Sequence, residues 1–183
     1  MSAHFVRKRL MASIKIGVMS DSHKKEDLHQ SVLEHFKALG ATHIIHAGDF
    51  SLPSNLQSLH AQGVPYTAVY GNNDHRLFEM DEGFEIYKEP HYFTLANTSF
   101  KLMHLPFYLS GDVDIVVFGH THAFECEKKG KTLFLNPGEV CGRNKPLSEY
   151  ATLEIEEKRF IVTYFFKDLQ SNDLGQKEFI YER

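Results

Sequence analysis

The sequence predicts an α/β fold of two packed sheets with helices outside, and three features of the chain point there. Four short runs rich in Ile and Val lack the alternation of a half-exposed strand, which suits strands buried on both faces. Each run ends in a small residue followed at once by Asp, Asn or His. Ile14 to Met19 leads into Ser20-Asp21-Ser22-His23, Ile44 to Ala47 into Gly48-Asp49, Tyr66 to Tyr70 into Gly71-Asn72, and Ile115 to Phe118 into Gly119-His120-Thr121-His122. Helix-period segments separate the first three runs. Beyond Asn72 the chain changes to short aromatic or β-branched runs divided by turn formers.

The elements follow in order. After the first run, Leu28, Val32, Phe36 and Leu39 stand at helical spacing across 27–39, and Gly40 offers a stop. His43 to Ala47 is the second strand, Pro53 to Gln62 a shorter helix closed by Gly63, and Tyr66 to Tyr70 the third strand, a βαβαβ order. Phe84 to Tyr87, Tyr92 to Leu95 and Ser99 to Met103 come next, with Asn97 in a turn. Antiparallel pairing is expected from there onward. Phe124 to Glu127 with Thr132 to Leu135, and Ala151 to Ile155 with Phe160 to Phe165, read as hairpins, while 166–183 is polar and carries no clear pattern. A parallel first half and a hairpin-rich second half give two packed sheets with helices outside.

Composition sets limits. With 183 residues, 42% of them hydrophobic, the chain matches the roughly 100–200 residues of one domain. Residues 1–11 are expected to be an N-terminal extension and 12–183 a single domain. The net charge of −4 is spread without a basic block, which disfavours a nucleic-acid partner. Cys126 and Cys141 lack CxxC spacing and read as free thiols of a reducing compartment. Residues 1–13 lack the apolar stretch of a signal peptide, and no later run approaches a membrane span. A cytoplasmic protein is expected.

Open α/β sheets place ligands beyond the carboxyl ends of their strands, so the four motifs can meet at one edge. Asp21 and His23 are two apart, a spacing that turns both side chains to one side of an extended chain. Asp49, with two carboxylate oxygens, can bridge two cations roughly 3.5–4 Å apart. Asn72 would add a neutral carbonyl oxygen, and His120 and His122 repeat the two-residue spacing. Such a mixed oxygen and nitrogen shell suits divalent ions of intermediate hardness. Taken singly, each motif is an ordinary turn; their recurrence after four strands favours a two-metal hydrolytic site. His29, His35, His43, His46 and His60 are expected to be structural or solvent-facing. Lys24, Lys25 and Arg76 flank ligand motifs without entering the assigned set, and Cys126 lacks a partner that would make it a nucleophile.

Asp21-Ser22-His23, Gly48-Asp49, Gly71-Asn72-Asn73-Asp74, His104 and Gly119-His120-Thr121-His122 resemble the ordered signature of calcineurin-like metallophosphoesterases. Asn136-Pro137-Gly138 resembles a downstream element of their small single-domain phosphodiesterase branch, which is also the branch of the retromer scaffold subunit. The resemblance spans roughly 14–165 and implies a four-layer α/β/β/α sandwich of two mixed sheets flanked by helices. It implies that Asp21, His23, Asp49 and His122 hold one metal and Asp49, Asn72, His104 and His120 the other. Asp49, Asn72 and His120 are the residues it assigns to catalysis. The implied cofactors are two divalent ions, Mn²⁺ ahead of Ni²⁺, Zn²⁺, Fe²⁺ or Mg²⁺.

The chain departs from that pattern at three points: Asn73 replaces a histidine common after the motif asparagine, Leu105-Pro106 follows His104 in place of glycine, and Glu139 replaces a serine after Asn-Pro-Gly. The expected activity is hydrolysis of a small phosphodiester by a water activated between two ions. Without the histidine at 73, proton delivery to the leaving group falls to solvent, which favours activated diesters over alkyl monoesters. The expected partner is a small-molecule phosphoester; exposed antiparallel edges leave a homodimer open. The alternative from another class is a weakly active or non-catalytic scaffold on the same fold.

Overall fold

The structure, a computed structural model, describes residues 14–80 and 83–183. The expected N-terminal extension, 1–11, lies outside the described residues. β1 (Ile14–Met19), α1 (Glu26–Ala38), β2 (His43–His46), α2 (Pro53–Ala61) and β3 (Tyr66–Val69) follow the expected βαβαβ order. After a 3-10 turn at His75–Glu79 come β4 (Ile86–Tyr87), β5 (His91–Leu95), β6 (Thr98–Leu102) and β7 (Ile115–Val117). The chain ends in β8 (Phe124–Lys129), β9 (Thr132–Pro137), β10 (Leu147–Ile155), β11 (Arg159–Asp168) and β12 (Leu174–Glu182).

The strands build two mixed sheets, a seven-stranded one in the order β12-β11-β10-β1-β2-β3-β4 and a five-stranded one in the order β5-β6-β7-β9-β8. Side-chain alternation sorts each strand between two layers. Ile16, Val18, Ile45, Ala47 and Val69 face Phe100, Leu102, Ile115, Val117, Leu133 and Leu135 in a core between the sheets. Met19, Ile44 and Ala68 face the other way, against Val32, Leu33 and Phe36 of α1 and Leu56 and Leu59 of α2. This is the expected α/β sandwich of two mixed sheets with flanking helices. α2 opens on Pro53, whose fixed φ suits a first helical position. Ala96 and Asn97, at φ 49° and 55°, make the tight turn between β5 and β6, since two successive positive-φ residues match strand twist.

On the outer face of the five-stranded sheet, Met103, Val116 and Phe118 form a small apolar cluster with Val113 and Phe134. Beside it, Lys101 is 1% exposed. Its ammonium donates to the carbonyls of Tyr108 (3.1 Å) and Ser110 (3.2 Å) and to the Ser110 hydroxyl (2.6 Å), and pairs with Asp112. A buried charge is tolerated only when paired and bonded in this way, and here it ties the loop after His104 to β6.

Pairing beyond Asn72 differs from the expectation. β4 runs parallel to β3, and β7 runs parallel to both β6 and β9. Ile115, Val116 and Val117 are buried on both faces, the environment of a parallel central strand; β4 is two residues long and carries no pattern from which a direction can be read. The polar segment near the C-terminus holds β12, an edge strand antiparallel to β11. Only Phe179 and Tyr181 of β12 reach the inter-sheet core, so the solvent-facing residues mask the alternation.

His29, on the buried face of α1, is fully enclosed. Burial pushes its pKa down to about 3, against a smaller opposing contribution from the Asn55 backbone, and neither ring nitrogen makes a well-formed hydrogen bond. Its folded pKa lies below the unfolded value near 6.5, so its effect is neutral above that pH and destabilising as pH falls towards 3. Urea unfolding at pH 7, 6, 5 and 4 should show stability falling by up to about 1.4 kcal/mol per pH unit from this one proton. His29→Leu should remove that part of the slope; identical slopes in the two proteins would refute the assignment.

Candidate metal centre

The parallel strands of both sheets end on one rim, and the loops leaving them share an unusual backbone. Among the described non-glycine residues, nine have positive φ, and six of these are Asp21 (54°), His23 (45°), Asp49 (60°), Ser51 (60°), His120 (70°) and His122 (59°). Such left-handed residues cost about 1–2 kcal/mol each, so the surrounding contacts must hold them. Asp21 N–H donates to Gly48 O (3.0 Å) and His23 N–H to Asp49 O (2.9 Å), zipping the first two loops together. Asp21 Oδ2 accepts the His120 N–H at 3.0 Å, joining the two sheets. Close approach explains the small residues before the motifs. A Cβ on Gly119 would collide with the Ser20 hydroxyl and lie 2.8 Å from Ala47 O, and one on Gly71 would collide with the Asp49 carboxylate.

Asp74 ties two loops at once. Its buried carboxylate accepts the backbone N–H of Asp49 (2.8 Å), Ser51 (2.7 Å) and Gly71 (2.7 Å). Burial pushes its pKa up to about 6, although these N–H groups pull the other way. Glu89 does a similar service for His104, accepting the N–H of His104 and of Leu105.

The side chains so placed direct acceptors at one another. His104 Nδ1 lies 2.8 Å from the Ala47 carbonyl, which can only accept, so Nδ1 carries a hydrogen and Nε2 is left to hold a second proton or to meet a cation. Nε2 faces Asn72 Oδ1 at 3.0 Å and Asp49 Oδ2 at 3.4 Å. His23 Nε2 lies 3.8 Å from Asp21 Oδ1, 3.7 Å from Asp49 Oδ2 and 3.4 Å from His122 Nε2. His122 Nε2 in turn is 3.2 Å from Asp21 Oδ1. Asp21 Oδ1 is fully buried without a well-formed hydrogen bond, and only a protonated His122 Nε2 could donate to it. A buried carboxylate oxygen left this way carries a heavy desolvation cost unless a cation meets it, so the residues present fit a bound metal. Two sets of donor atoms each lie within 4.8 Å of one another: Asp21, His23 and Asp49, and His23, His122 and Cys141.

The titrations follow the same logic. Burial pushes Asp49 up, yet hydrogen bonds from His104 and Asn73 hold its carboxyl well below the usual range. Burial pushes His104 down, yet Asp49 raises it on balance. His23 is lowered by burial, against attraction from Asp49 and Asp21. Burial also opposes His122, but hydrogen bonds to Asp21, Cys141 and Glu139 raise it to about 10. The Arg143 guanidinium, 2.9 Å from His122 Nε2, instead requires that nitrogen to accept. A proton, a guanidinium and a metal cation are thus three alternatives for one lone pair.

The structure gathers Asp21, His23, Asp49 and His122 most tightly, with Asn72 and His104 beside Asp49. His120 is exposed, its ring in edge contact with His104 at a centroid distance of 5.2 Å, so it sits at the mouth of the cluster. Three residues at the centre were not assigned to it from sequence. Glu139, fully buried, accepts from His122 Nδ1 and from the Cys141 thiol (3.3 Å), and its other oxygen accepts the N–H of Asn144 (2.7 Å) and Lys145 (3.1 Å). Cys141 and Arg143 follow it on the same loop. Their one sequence signal is a position just downstream of Asn136-Pro137-Gly138, whose asparagine amide bonds Gly119 O (3.0 Å) and Thr121 (2.9 Å). Asn73, standing where the family histidine is common, bonds Asp49 Oδ1 through its N–H (2.8 Å) and Oδ2 through its side chain (2.7 Å). Lys24 and Lys25 line the adjoining pocket with Arg143. His46 is buried and faces Ser22 at 3.3 Å, in a structural role. Burial pushes the Cys126 thiol up to about 11, in keeping with an unreactive cysteine.

Known proteins resemble this chain in sequence and in fold. The chain is 27% identical over 161 residues to the phosphodiesterase MJ0936 of Methanocaldococcus jannaschii, covering 80% of this chain and 96% of that one. Its fold matches Yfce, a phosphoesterase from E. coli, with TM-score 0.66 and 23% identity over 90% of this chain and 98% of that one. It also matches Vps29 of Entamoeba histolytica in complex with Zn²⁺, with TM-score 0.70 and 20% identity over 91% of this chain and 99% of that one. The model of the calcineurin-like phosphoesterase superfamily domain matches residues 14–158, and the chain therefore belongs to that superfamily.

Proposed function

We propose that this protein is a phosphodiesterase that hydrolyses small phosphodiesters at a centre of two divalent cations. The observation that carries this reading is the convergence of donor atoms from Asp21, Asp49, Asn72, His104 and His122, with the Asp21 Oδ1 oxygen buried and without a well-formed hydrogen bond. Asp21, His23, Asp49 and His122 would hold one ion, and Asp49, Asn72, His104 and His120 the other, with Asp49 common to both. Mn²⁺ is the favoured ion, with Ni²⁺, Zn²⁺, Fe²⁺ and Mg²⁺ as alternatives; the Zn²⁺-bound Vps29 supports divalent binding on this fold. Such ions supply an activated water and neutralise phosphoryl charge. We further infer one domain over 12–183, acting in the cytoplasm.

The protein's own groups set the stage for that chemistry. Glu139 fixes the His122 tautomer through Nδ1 and keeps Nε2 directed inward, the part that a carboxylate plays behind a metal-bound imidazole. The Ala47 carbonyl does the same for His104. Asn73 donates to Asp49 and steadies the shared carboxylate, but an amide is no general acid. The departing oxygen must take its proton from water, so leaving groups stable as anions are favoured.

Purified protein should hydrolyse bis(p-nitrophenyl) phosphate with added Mn²⁺ faster than an alkyl monoester such as glycerol phosphate; the reverse preference would overturn the diesterase assignment. Asp49→Ala should lose at least one equivalent of metal by elemental analysis and most turnover, and near-normal metal content would defeat its role. Asp21→Asn and His122→Ala should chiefly weaken one ion, whereas Asn73→Ala should leave metal content largely intact. Glu139→Gln should weaken metal binding by about 10–100-fold with the fold intact, measured by competition with a chelator; wild-type affinity would remove Glu139 from the centre.

The second reading is a scaffold on the same fold, favoured by the likeness to Vps29. Turnover abolished in Asp49→Ala separates the two, because a scaffold shows none in either protein.

A further inference from the structure

Beside the first group of donors the surface opens into a cavity of about 450 Å³, lined by His23, Ser51 and Asn73 on the inner side and by Lys24, Lys25 and Arg143 on the outer. No carboxylate lines it. The chain as a whole carries a net charge of −4, so three cations without an acidic neighbour run against the average surface. Among the described residues none of the three pairs with a carboxylate; the acidic residues Glu26 and Asp27 of the first turn of α1 do not line the cavity.

Arg143 is aimed rather than loose. Its guanidinium points inward to His122 Nε2 at 2.9 Å, and the next two residues are pinned by their N–H groups to Glu139. His122 Nε2 cannot serve Arg143 and a metal at once, so a loaded centre would leave the guanidinium free in the cavity. A guanidinium with two ammonium groups is a preferred setting for phosphate oxygens. A simple phosphodiester carries one negative charge, which a dinuclear centre already engages; three further cations ask for more.

We propose that the Lys24, Lys25 and Arg143 cavity is a subsite for a second phosphate group, so that the preferred substrates are phosphodiesters bearing another phosphate beside the scissile one. This rests on the phosphodiesterase reading above for the scissile group, while the subsite itself is tested by binding.

The test is calorimetry of wild-type protein with adenosine 3′,5′-bisphosphate and with adenosine 5′-monophosphate, with and without Mn²⁺. The bisphosphate should bind at least about tenfold tighter, the worth of one charge-assisted hydrogen bond, and the advantage should shrink with added salt. In the Lys24→Gln/Lys25→Gln/Arg143→Gln variant the ratio should fall to about twofold or less at wild-type thermal stability. Arg143→Gln alone, which leaves both lysines, should lose part of it and serves if the triple variant is unstable. Equal binding of the two nucleotides by wild-type protein, or an undiminished ratio in both variants, overturns the proposal. If bis(p-nitrophenyl) phosphate is hydrolysed but the nucleotides bind equally, the subsite fails and the activity stands. If no diester is hydrolysed but the tenfold ratio holds with Mn²⁺ and is lost in the variants, the activity fails and the subsite stands.

Discussion

Everything at the rim answers to one electrostatic constraint: the buried acceptors of Asp21, Asp49, His104 and His122 are crowded together beneath an open mouth. Asp21 Oδ1 is buried without a well-formed hydrogen bond, and His104 Nε2 faces two oxygens while Nδ1 donates to a carbonyl. Left alone, such groups repel, and the chain would relax away from the arrangement. The surrounding architecture prevents that relaxation, with buried carboxylates acting as acceptors for backbone amides. Asp74 fastens the loops after β2 and β3, Glu89 the turn at His104, and Glu139 both an imidazole and the loop beyond it.

This division of labour explains why acidic residues of the same type play different parts. Asp21 and Asp49 spend few of their lone pairs on backbone groups and keep others directed inward. Asp74 spends its carboxylate on three amides and takes no part in the donor cluster. The inter-sheet core supplies the rigid base, since residues of β1, β2 and β3 pack on those of β6, β7 and β9 directly beneath the rim.

Much of the architecture was legible in the residues themselves. The apolar runs with period-free burial gave β1, β2 and β3, and the 3.6-residue spacing gave α1, because each signal reports a single local environment. The site was legible wherever a ligand type followed such a run, as at Asp21, Asp49 and His122. His104 came from the family resemblance alone, for nothing local separates it from a surface histidine at a strand end. Strand direction beyond Asn72 was not legible, because a three-residue strand looks the same whichever way its neighbours run. Glu139, Cys141 and Arg143 escaped for a related reason: their significance lies in reaching back to His122, about twenty positions earlier, and no local pattern encodes that contact. β12 was hidden because an edge strand shows most of its side chains to solvent.

The six left-handed residues of the rim loops have a consequence for how the donor groups are held. Their strain belongs to the folded chain, so the positions of these donor groups are set by the backbone itself. The same loops bring the ring nitrogens of His23 and His122 close to the Asp21 and Asp49 carboxylates, whereas a large alkaline-earth ion takes about six to eight oxygens. Nitrogen donors among the oxygens thus set this rim apart from an all-oxygen site before any single ligand is considered.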